Sequence, residues 1–118
     1  MEITKARTML GADAIIGASA HNVAEALAAQ EAGADYIGCG AVFTTETKTD
    51  VTALAHRELS AICHAVRIPA VAIGGITPEN LPRLNGSGIA GVAVIRALFA
   101  QSDIAAAARQ LRTLADRL

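Results

Sequence analysis

Four short apolar runs, separated by stretches with helical spacing, constrain the fold of this chain more than any other feature of its sequence. The runs cover residues 14–17, 35–40, 70–73 and 91–95, and each is typical of a buried strand. Apolar residues three or four positions apart predict helices over residues 3–10, 23–32, 56–66, 78–84 and 104–117. The expected caps are Gly11 after the first helix, Asn22 or Ser19 before the second, Thr77 before the fourth and Asp103 before the last. The inward face of the second helix is expected to carry Val23, Ala26, Leu27 and Gln30. Because strand and helix alternate at short spacing, the sequence predicts right-handed βα units and an α/β fold with a parallel sheet.

Four βα units leave two architectures open. They could form a small open sheet of their own, or they could be half of an eightfold barrel, which typically needs about 250 residues. The chain has 118 residues, enough for one compact domain with one core. We therefore expect residues 1–118 to form a single domain.

The composition argues against several classes of partner. The formal net charge is −1, so nothing favours nucleic acid or an anionic membrane surface. Hydrophobic residues make up 53% of the chain, but no apolar run approaches the ~20 residues of a membrane-spanning helix. Cys39 and Cys63 lie far apart in the sequence, and we expect both to be reduced thiols in a cytoplasmic protein.

A polar loop with the sequence Val42-Phe43-Thr44-Thr45-Glu46-Thr47-Lys48 follows the second predicted strand. Parallel α/β proteins place their chemistry in loops at the ends of strands. Hydroxyl groups and an ammonium group are the donors that an anionic or phosphorylated substrate needs. Taken alone, the loop is equally compatible with an ordinary solvated surface.

A second candidate site combines Gly74-Gly75, after the third predicted strand, with Ile95-Arg96, after the fourth. A glycine pair lets the backbone approach an oxyanion, and the N–H groups that open the turn after the next strand point at the same place. In eight-unit barrels the loops after the last two strands are the common phosphate site. Together the two motifs predict phosphate binding.

The order of these motifs resembles that of the thiamine-phosphate synthases and of their relatives, the TenI-type thiazole tautomerases. The resemblance covers nearly the whole chain. It rests on five stretches: Ile15-Ile16-Gly17-Ala18-Ser19-Ala20-His21, Gly33-Ala34-Asp35-Tyr36-Ile37-Gly38, the polar loop, Ile68-Pro69-Ala70-Val71-Ala72-Ile73-Gly74-Gly75-Ile76, and Gly91-Val92-Ala93-Val94-Ile95. Within the loop, Thr45-Glu46-Thr47-Lys48 is the most telling string, because it is similar to the loop after strand six of the synthases.

The resemblance implies a TIM barrel of eight βα units, of which this chain would supply the C-terminal half. That half comprises the fourth helix and units five to eight. A half barrel has two open sheet edges, and open edges pair with something or aggregate. Two copies could close one symmetric barrel, since a twofold interface is self-complementary. The expected partner is therefore a second copy or a complementary half barrel.

The resemblance also implies an activity. The synthases join hydroxymethylpyrimidine diphosphate to thiazole phosphate in thiamine biosynthesis: diphosphate leaves, and the thiazole nitrogen captures the pyrimidine-methyl cation. Lys48 matches the lysine on the diphosphate side, where a point charge suits the leaving group. Thr45 and Thr47 match the hydroxyls that hold the thiazole phosphate, and Glu46 between them contributes its backbone.

Further positions match the family site. Ser19 matches a position that touches the pyrimidine substrate, although a helix-capping hydroxyl is an equal alternative. His21, in its Ser-Ala-His context, resembles the proton-transfer residue of the tautomerases, but synthases often carry histidine there too. Gly75, Ile95 and Arg96 fall in the phosphate loops. Many family members have serine where this chain has Arg96, and proline where it has Thr44.

Magnesium is expected for the family, but the resemblance places its aspartate ligands in the half of the barrel that this chain does not match. We therefore assign no metal ligand in this sequence. Three functions stay open. They are a thiamine-phosphate synthase that is inactive alone if the other half is missing, a TenI-like thiazole tautomerase using His21, and a non-catalytic phosphate-binding half barrel or assembly module.

Overall fold

The computed structural model describes residues 2–43 and 54–118. In those residues the helices are α1 (Ile3–Leu10), α2 (Val23–Glu31), α3 (His56–Ala65), α4 (Arg96–Phe99) and α5 (Ile104–Ala115), with a 3₁₀ helix at Leu81–Leu84. The strands are β1 (Gly17–Ala20), β2 (Tyr36–Cys39), β3 (Ala70–Ile73) and β4 (Gly91–Ala93). They pair in parallel in the order β1-β2-β3-β4, which confirms the predicted parallel α/β fold.

Only one face of the sheet is fully packed. Ala20, Cys39 and Ala72 are partners in one register row, and all three are fully buried. They belong to a single core cluster with the apolar sides of the helices, including Ala26 of α2 and Leu59 of α3. The alternate residues of the strands point to the other face and are exposed or half-buried. A doubly wound sheet would bury both faces, so one-sided packing in sequential strand order favours half a barrel over an open sheet.

Local sequence signals set most helix ends as predicted. The Asn22 side chain accepts a hydrogen bond of 2.8 Å from the Glu25 backbone N–H, which identifies Asn22, not Ser19, as the cap of α2. Asp103 caps α5 in the same way, through a 3.0 Å bond from the Ala106 N–H. Gly11 ends α1 with a positive φ of 91°.

Two predicted elements are wrong. The first strand is not 14–17 but Gly17–Ala20, because pairing with β2 begins only at Gly17, and Ile15 is 80% exposed. The predicted helix over 78–84 is reduced to the 3₁₀ helix Leu81–Leu84. Pro82 has no N–H to donate to the preceding turn, so an α-helix cannot continue through it.

Smaller differences concern the strand and helix ends and a single side chain. The fourth strand ends at Ala93 and the last helix at Ala115. Leu27, expected on the inward face of α2, is 37% exposed, and Ala29 is buried in its place. None of the helices in the described part of the chain has both the length and the apolar character that a membrane crossing requires.

An ion pair joins α1 to the amino-terminal end of the sheet. One guanidinium nitrogen of Arg7 lies 2.9 Å from Oδ2 of Asp35 and 2.7 Å from the carbonyl oxygen of Gly33. The same Asp35 oxygen accepts a 2.7 Å bond from the Ile16 N–H at the start of β1. The Ile16 N–H and then the Arg7 guanidinium hold the pKa of Asp35 below its usual range.

We expect Asp35→Asn to destabilise the chain at neutral pH and to matter less in acid. A carboxyl whose folded pKa is lowered contributes its full stabilisation above the ordinary pKa of about 3.9, and loses it as the pH falls through the folded value. Urea midpoints of wild type and variant should therefore differ at pH 7 and converge as the pH is lowered below the ordinary pKa range of a carboxyl group. Exposed Asp13→Asn is the control, and an Asp35→Asn deficit that did not change with pH would contradict this role.

Candidate functional site

A cavity of about 740 Å³ opens at the carboxyl ends of β3 and β4. It brings together the four residues of the second candidate site predicted from the sequence: Gly74, Gly75, Ile95 and Arg96. Residues 73–80, 93–97, 100, 101, 107 and 110 line it. The amide side chains of Gln101 and Gln110 are part of this lining, and the sequence analysis did not identify them.

The glycine pair presents bare backbone to this cavity. Gly74 and Gly75 have φ values of 104° and 66°, in the region that favours glycine. A Cβ atom on Gly75 would lie 2.7 Å from the carbonyl oxygen of Phe43, and one on Gly74 would lie 2.7 Å from the Cα of Ala41. Both the backbone conformation and the neighbouring chain therefore exclude a side chain here.

Asn80 holds the glycine loop in place. Its side-chain amide donates a 2.9 Å hydrogen bond to the carbonyl oxygen of Gly75. Its Oδ1 accepts a 2.8 Å bond from the Thr77 N–H, while the Thr77 hydroxyl oxygen accepts a 3.2 Å bond from the Asn80 N–H. This reciprocal pair is a capping box with asparagine in the third position. Thr77 was predicted as a cap but Asn80 was not, although the string Thr77-Pro78-Glu79-Asn80 was the available signal.

Two opposite charges line the cavity. Arg96 is exposed at the first residue of α4, where its guanidinium could donate to a phosphate oxygen. Glu79 lies across the same opening and is also exposed. Because water screens an exposed carboxylate, Glu79 weakens an anion site at the rim less than a buried acid would.

The predicted residues Thr45, Glu46, Thr47 and Lys48 lie outside the described residues. The chain on both sides of them is held at this end of the sheet. The Phe43 N–H donates a 3.1 Å bond to the Gly74 carbonyl oxygen, and the Leu54 N–H donates a 2.7 Å bond to the Ala41 carbonyl oxygen. The polar loop therefore leaves and rejoins the described structure beside the glycine pair.

Ser19 and His21 lie elsewhere on the sheet. Ser19 is exposed on β1, in one register row with Gly38 and Val71, and β2 and β3 separate it from β4. With strands about 4.8 Å apart, β1 and β4 are roughly 14 Å apart across the sheet. Within one chain the structure therefore does not bring these two residues to the phosphate cavity.

His21 pairs with a carboxylate at the end of β1. Its backbone N–H donates a 2.8 Å bond to Oε1 of Glu25, and its Nδ1 lies 3.0 Å from the same oxygen. The backbone bond and then the ring bond from His21 lower the pKa of Glu25. Because a carboxylate only accepts, Nδ1 carries the hydrogen, and Nε2 of a neutral ring remains free as an acceptor.

Metal and thiol chemistry find little support in the described residues. Across 2–43 and 54–118, no three histidine, cysteine, aspartate or glutamate side chains lie together as a metal site requires. These residues do not fit a bound magnesium ion. Cys39 is buried, and burial raises the pKa of its thiol to about 11, which leaves it unreactive at neutral pH.

Comparison with known proteins agrees with the fold and the motifs. The family model described as thiamine monophosphate synthase matches residues 1–98. Thiamine-phosphate synthase 2 of Streptococcus pneumoniae is 47% identical over 106 residues, which are 90% of this chain and 50% of that protein. The thiamine-phosphate synthase of Methanobrevibacter smithii is 50% identical over 99 residues, which are 84% of this chain and 47% of that protein.

A solved structure matches the same region. The thiamine phosphate pyrophosphorylase of Pyrococcus furiosus superposes with a TM-score of 0.88 at 38% identity, over 98% of this chain and 55% of that one. The chain thus spans about half the length of the relatives it matches. The family match and these identities lead to one conclusion: the chain belongs to the thiamine monophosphate synthase family.

Proposed function

We propose that residues 1–118 form one half-barrel domain that supplies the thiazole phosphate site of a thiamine-phosphate synthase. The reaction couples hydroxymethylpyrimidine diphosphate to thiazole phosphate and releases diphosphate. One observation carries this proposal: the glycine pair after β3 and Ile95-Arg96 after β4 line one cavity at the carboxyl ends of the strands. Family membership then selects a phosphorylated thiazole from among the possible anions.

The cavity offers a phosphate group both backbone and side-chain donors. The Gly74–Gly75 backbone lines the cavity, and glycine-rich backbone is a common binding element for oxyanions. Arg96 adds a charged donor from the opposite wall, and the Asn80 amide fixes the loop by holding the Gly75 carbonyl oxygen. Binding here would hold the acceptor in place for the reaction.

The polar loop would act on both phosphorylated groups. We assign Thr45, Thr47 and the Glu46 backbone to the thiazole phosphate, and Lys48 to the departing diphosphate, where an ammonium group stabilises negative charge as it develops. Two facts support this: the matched region 1–98 includes the loop, and both of its flanks are anchored beside Gly74. No step is assigned to magnesium.

Turnover would require the other half of the barrel, because the family resemblance places the magnesium-binding aspartates in the half that this chain does not match. We place the reaction in the cytoplasm, where Cys39 and Cys63 remain free thiols.

The His21–Glu25 pair favours a second candidate, a TenI-like thiazole tautomerase. A histidine whose Nδ1–H is held by a carboxylate has Nε2 free to move a proton. The third candidate is a phosphate-binding half barrel with no turnover.

Lys48→Ala tests the synthase. Purified chain is mixed with hydroxymethylpyrimidine diphosphate, thiazole phosphate and magnesium, and thiamine phosphate is measured. We expect the variant to lose about 100-fold or more in rate, since it removes the charge that faces the leaving diphosphate. Lys5→Ala is the matched control, because Lys5 is the other lysine of the sequence and lies on α1. Equal rates for the wild type and the Lys48 variant would contradict the assignment, whereas binding without turnover would favour the non-catalytic module.

Gly75→Ala tests the phosphate cavity. The added Cβ would meet the Phe43 carbonyl oxygen and displace the loop, so thiazole phosphate should bind about tenfold more weakly in calorimetry, the effect of one lost charge-assisted hydrogen bond. Gly86→Ala is the control, because Gly86 has a φ of 82° but no atom within 4 Å of the position that an added methyl group would take. The Gly86→Ala substitution imposes similar backbone strain without the contact. Equal losses of affinity in the two variants would therefore contradict phosphate binding at the cavity.

His21→Ala separates the tautomerase from the synthase. If His21 transfers the proton, tautomerisation of thiazole phosphate should fall by about 10² to 10⁴-fold, the usual contribution of a general acid or base. His64→Ala, which removes an exposed histidine from α3, should leave the rate unchanged. Tautomerisation that survived in His21→Ala would exclude this candidate.

A further inference from the structure

Three consecutive carbonyl oxygens of the glycine loop, those of residues 73–75, accept hydrogen bonds from the protein. The first two accept bonds of 3.0 Å and 3.1 Å from the backbone N–H groups of Val42 and Phe43. The third, that of Gly75, accepts a 2.9 Å bond from the side-chain amide of Asn80. All three acceptors of this stretch are therefore occupied within the chain.

The N–H groups of the same three peptides are used differently. Their peptide bonds are trans, and in a planar trans peptide the N–H points away from the C=O. The donors concerned belong to Gly74, Gly75 and Ile76, which lie outside every helix and strand. Among the hydrogen bonds of residues 2–43 and 54–118, none is donated by these three N–H groups. Within that part of the chain, the loop engages its acceptors and not its donors.

The bond to Gly75 depends on one side chain. The bonds from Val42 and Phe43 come from backbone, which almost any residue provides, whereas the third bond requires the amide of Asn80. Glycine restricts its own carbonyl little, because it has no Cβ. Without the amide, the Gly75 carbonyl oxygen would lack its donor and would turn towards water in the cavity. An oxygen atom turned into the cavity would repel an anion.

Capping alone does not account for this bond. The helix that follows is a single 3₁₀ turn, Leu81–Leu84. Its cap is formed by the 2.8 Å bond from the Thr77 N–H to Oδ1 of Asn80, and the amide nitrogen takes no part in that bond. Asn80 is half-buried and lines the cavity together with Gly75. The amide nitrogen of Asn80 thus acts on the glycine loop.

We propose that Asn80 is a positioning residue of the phosphate cavity. Its amide holds the Gly75 carbonyl oxygen away from the ligand, so that the N–H side of the loop serves the phosphate. Asn80 acts through the loop and does not itself bind the phosphate. Asn80 therefore determines that this backbone offers donors to an anion. The inference rests on the proposed function only in taking phosphate as the ligand of this cavity.

Asn80→Ala is the first test. Binding of inorganic phosphate and of thiazole phosphate is measured by calorimetry at pH 7, with circular dichroism as the check on folding. We expect both ligands to bind about tenfold more weakly, because the loop loses the bond that orients it. Asn22→Ala is the matched control. Asn22 is also a capping asparagine, with a 2.8 Å bond from the Glu25 N–H, but it caps α2 beyond the far edge of the sheet.

Nuclear magnetic resonance separates positioning from stability. In the ¹⁵N-labelled wild type, saturating phosphate should shift the amide protons of Gly75 and Ile76 downfield, as a new hydrogen bond to an anion does. In Asn80→Ala we expect a smaller shift at saturation. A residue that only stabilised the fold would change the unfolding midpoint and leave the shifts of the bound state as they are.

Asn80→Asp is the second variant and keeps the cap. One carboxylate oxygen can still accept the Thr77 N–H, while the other replaces the donor and repels the Gly75 carbonyl oxygen. We expect phosphate to bind about 30-fold more weakly than in the wild type at pH 7. The deficit should shrink towards the ordinary aspartate pKa of about 3.9, because a protonated carboxyl can donate again. Comparison with the wild type at each pH cancels the titration of Glu79 and of the phosphate.

Gln101→Glu controls for the added charge. Gln101 lines the same cavity, and in the described residues it makes no hydrogen bond to the glycine loop. The variant therefore adds a carboxylate to the wall without opposing the Gly75 carbonyl. We expect it to weaken phosphate binding less than Asn80→Asp does, and to leave the bound-state shift of the Ile76 amide proton unchanged.

The possible failures are distinguishable. Wild-type affinity in Asn80→Ala and Asn80→Asp would overturn the positioning role and leave the proposed function standing. Equal losses in Asn80→Ala and Asn22→Ala, with unchanged amide shifts, would also overturn it, since they would reflect stability alone. Equal losses in Asn80→Asp and Gln101→Glu would assign the effect to charge. A wild type that binds neither ligand would overturn the proposed function and the role of Asn80 together.

Discussion

The packing of helices against a single face of the sheet is the constraint on which the rest of this structure depends. Small side chains in one register row, Ala20, Cys39 and Ala72, let the helices approach closely and are fully buried. Burial of this face supplies the main hydrophobic driving force for folding. The same arrangement leaves the opposite face, with Ile73 and Tyr36, without a cover of its own.

Because all strands run in the same direction, their carboxyl ends and the loops that follow them meet at one end of the sheet. Three loops meet there: the glycine pair after β3, Ile95-Arg96 after β4, and the flanks of residues 44–53. Backbone hydrogen bonds from Val42 and Phe43 to the carbonyls of Ile73 and Gly74 join two of these loops directly. The close approach that requires glycine at 74 and 75 is therefore a contact between two loops, on the segment that also lines the cavity.

Local signals predicted most of the fold. The third strand was predicted at the residues where it occurs, and the Gly11 and Asp103 caps were identified from the sequence, because each depends on neighbours within one turn. The first strand was misplaced because hydrophobicity does not reveal which face of a sheet is covered, and exposed Ile15 resembles a core residue. The bond from Asn80 to Gly75 also escaped prediction, since the sequence shows two separate motifs and not their contact.

The predicted site residues also form two groups, one set by local structure and one that depends on the strand order. Gly75, Ile95 and Arg96 were predicted together and lie together, because adjacent strands and their own loops build that cavity. Ser19 and His21 lie at the far edge of the sheet, because β2 and β3 separate β1 from β4, and no local pattern in the sequence encodes that strand order. Phosphate binding should therefore be a property of the single half barrel, whose contacts are all internal. Chemistry that involves Ser19 or His21 as well as the cavity would have to span the sheet from β1 to β4, so phosphate binding and turnover can be tested separately in this chain.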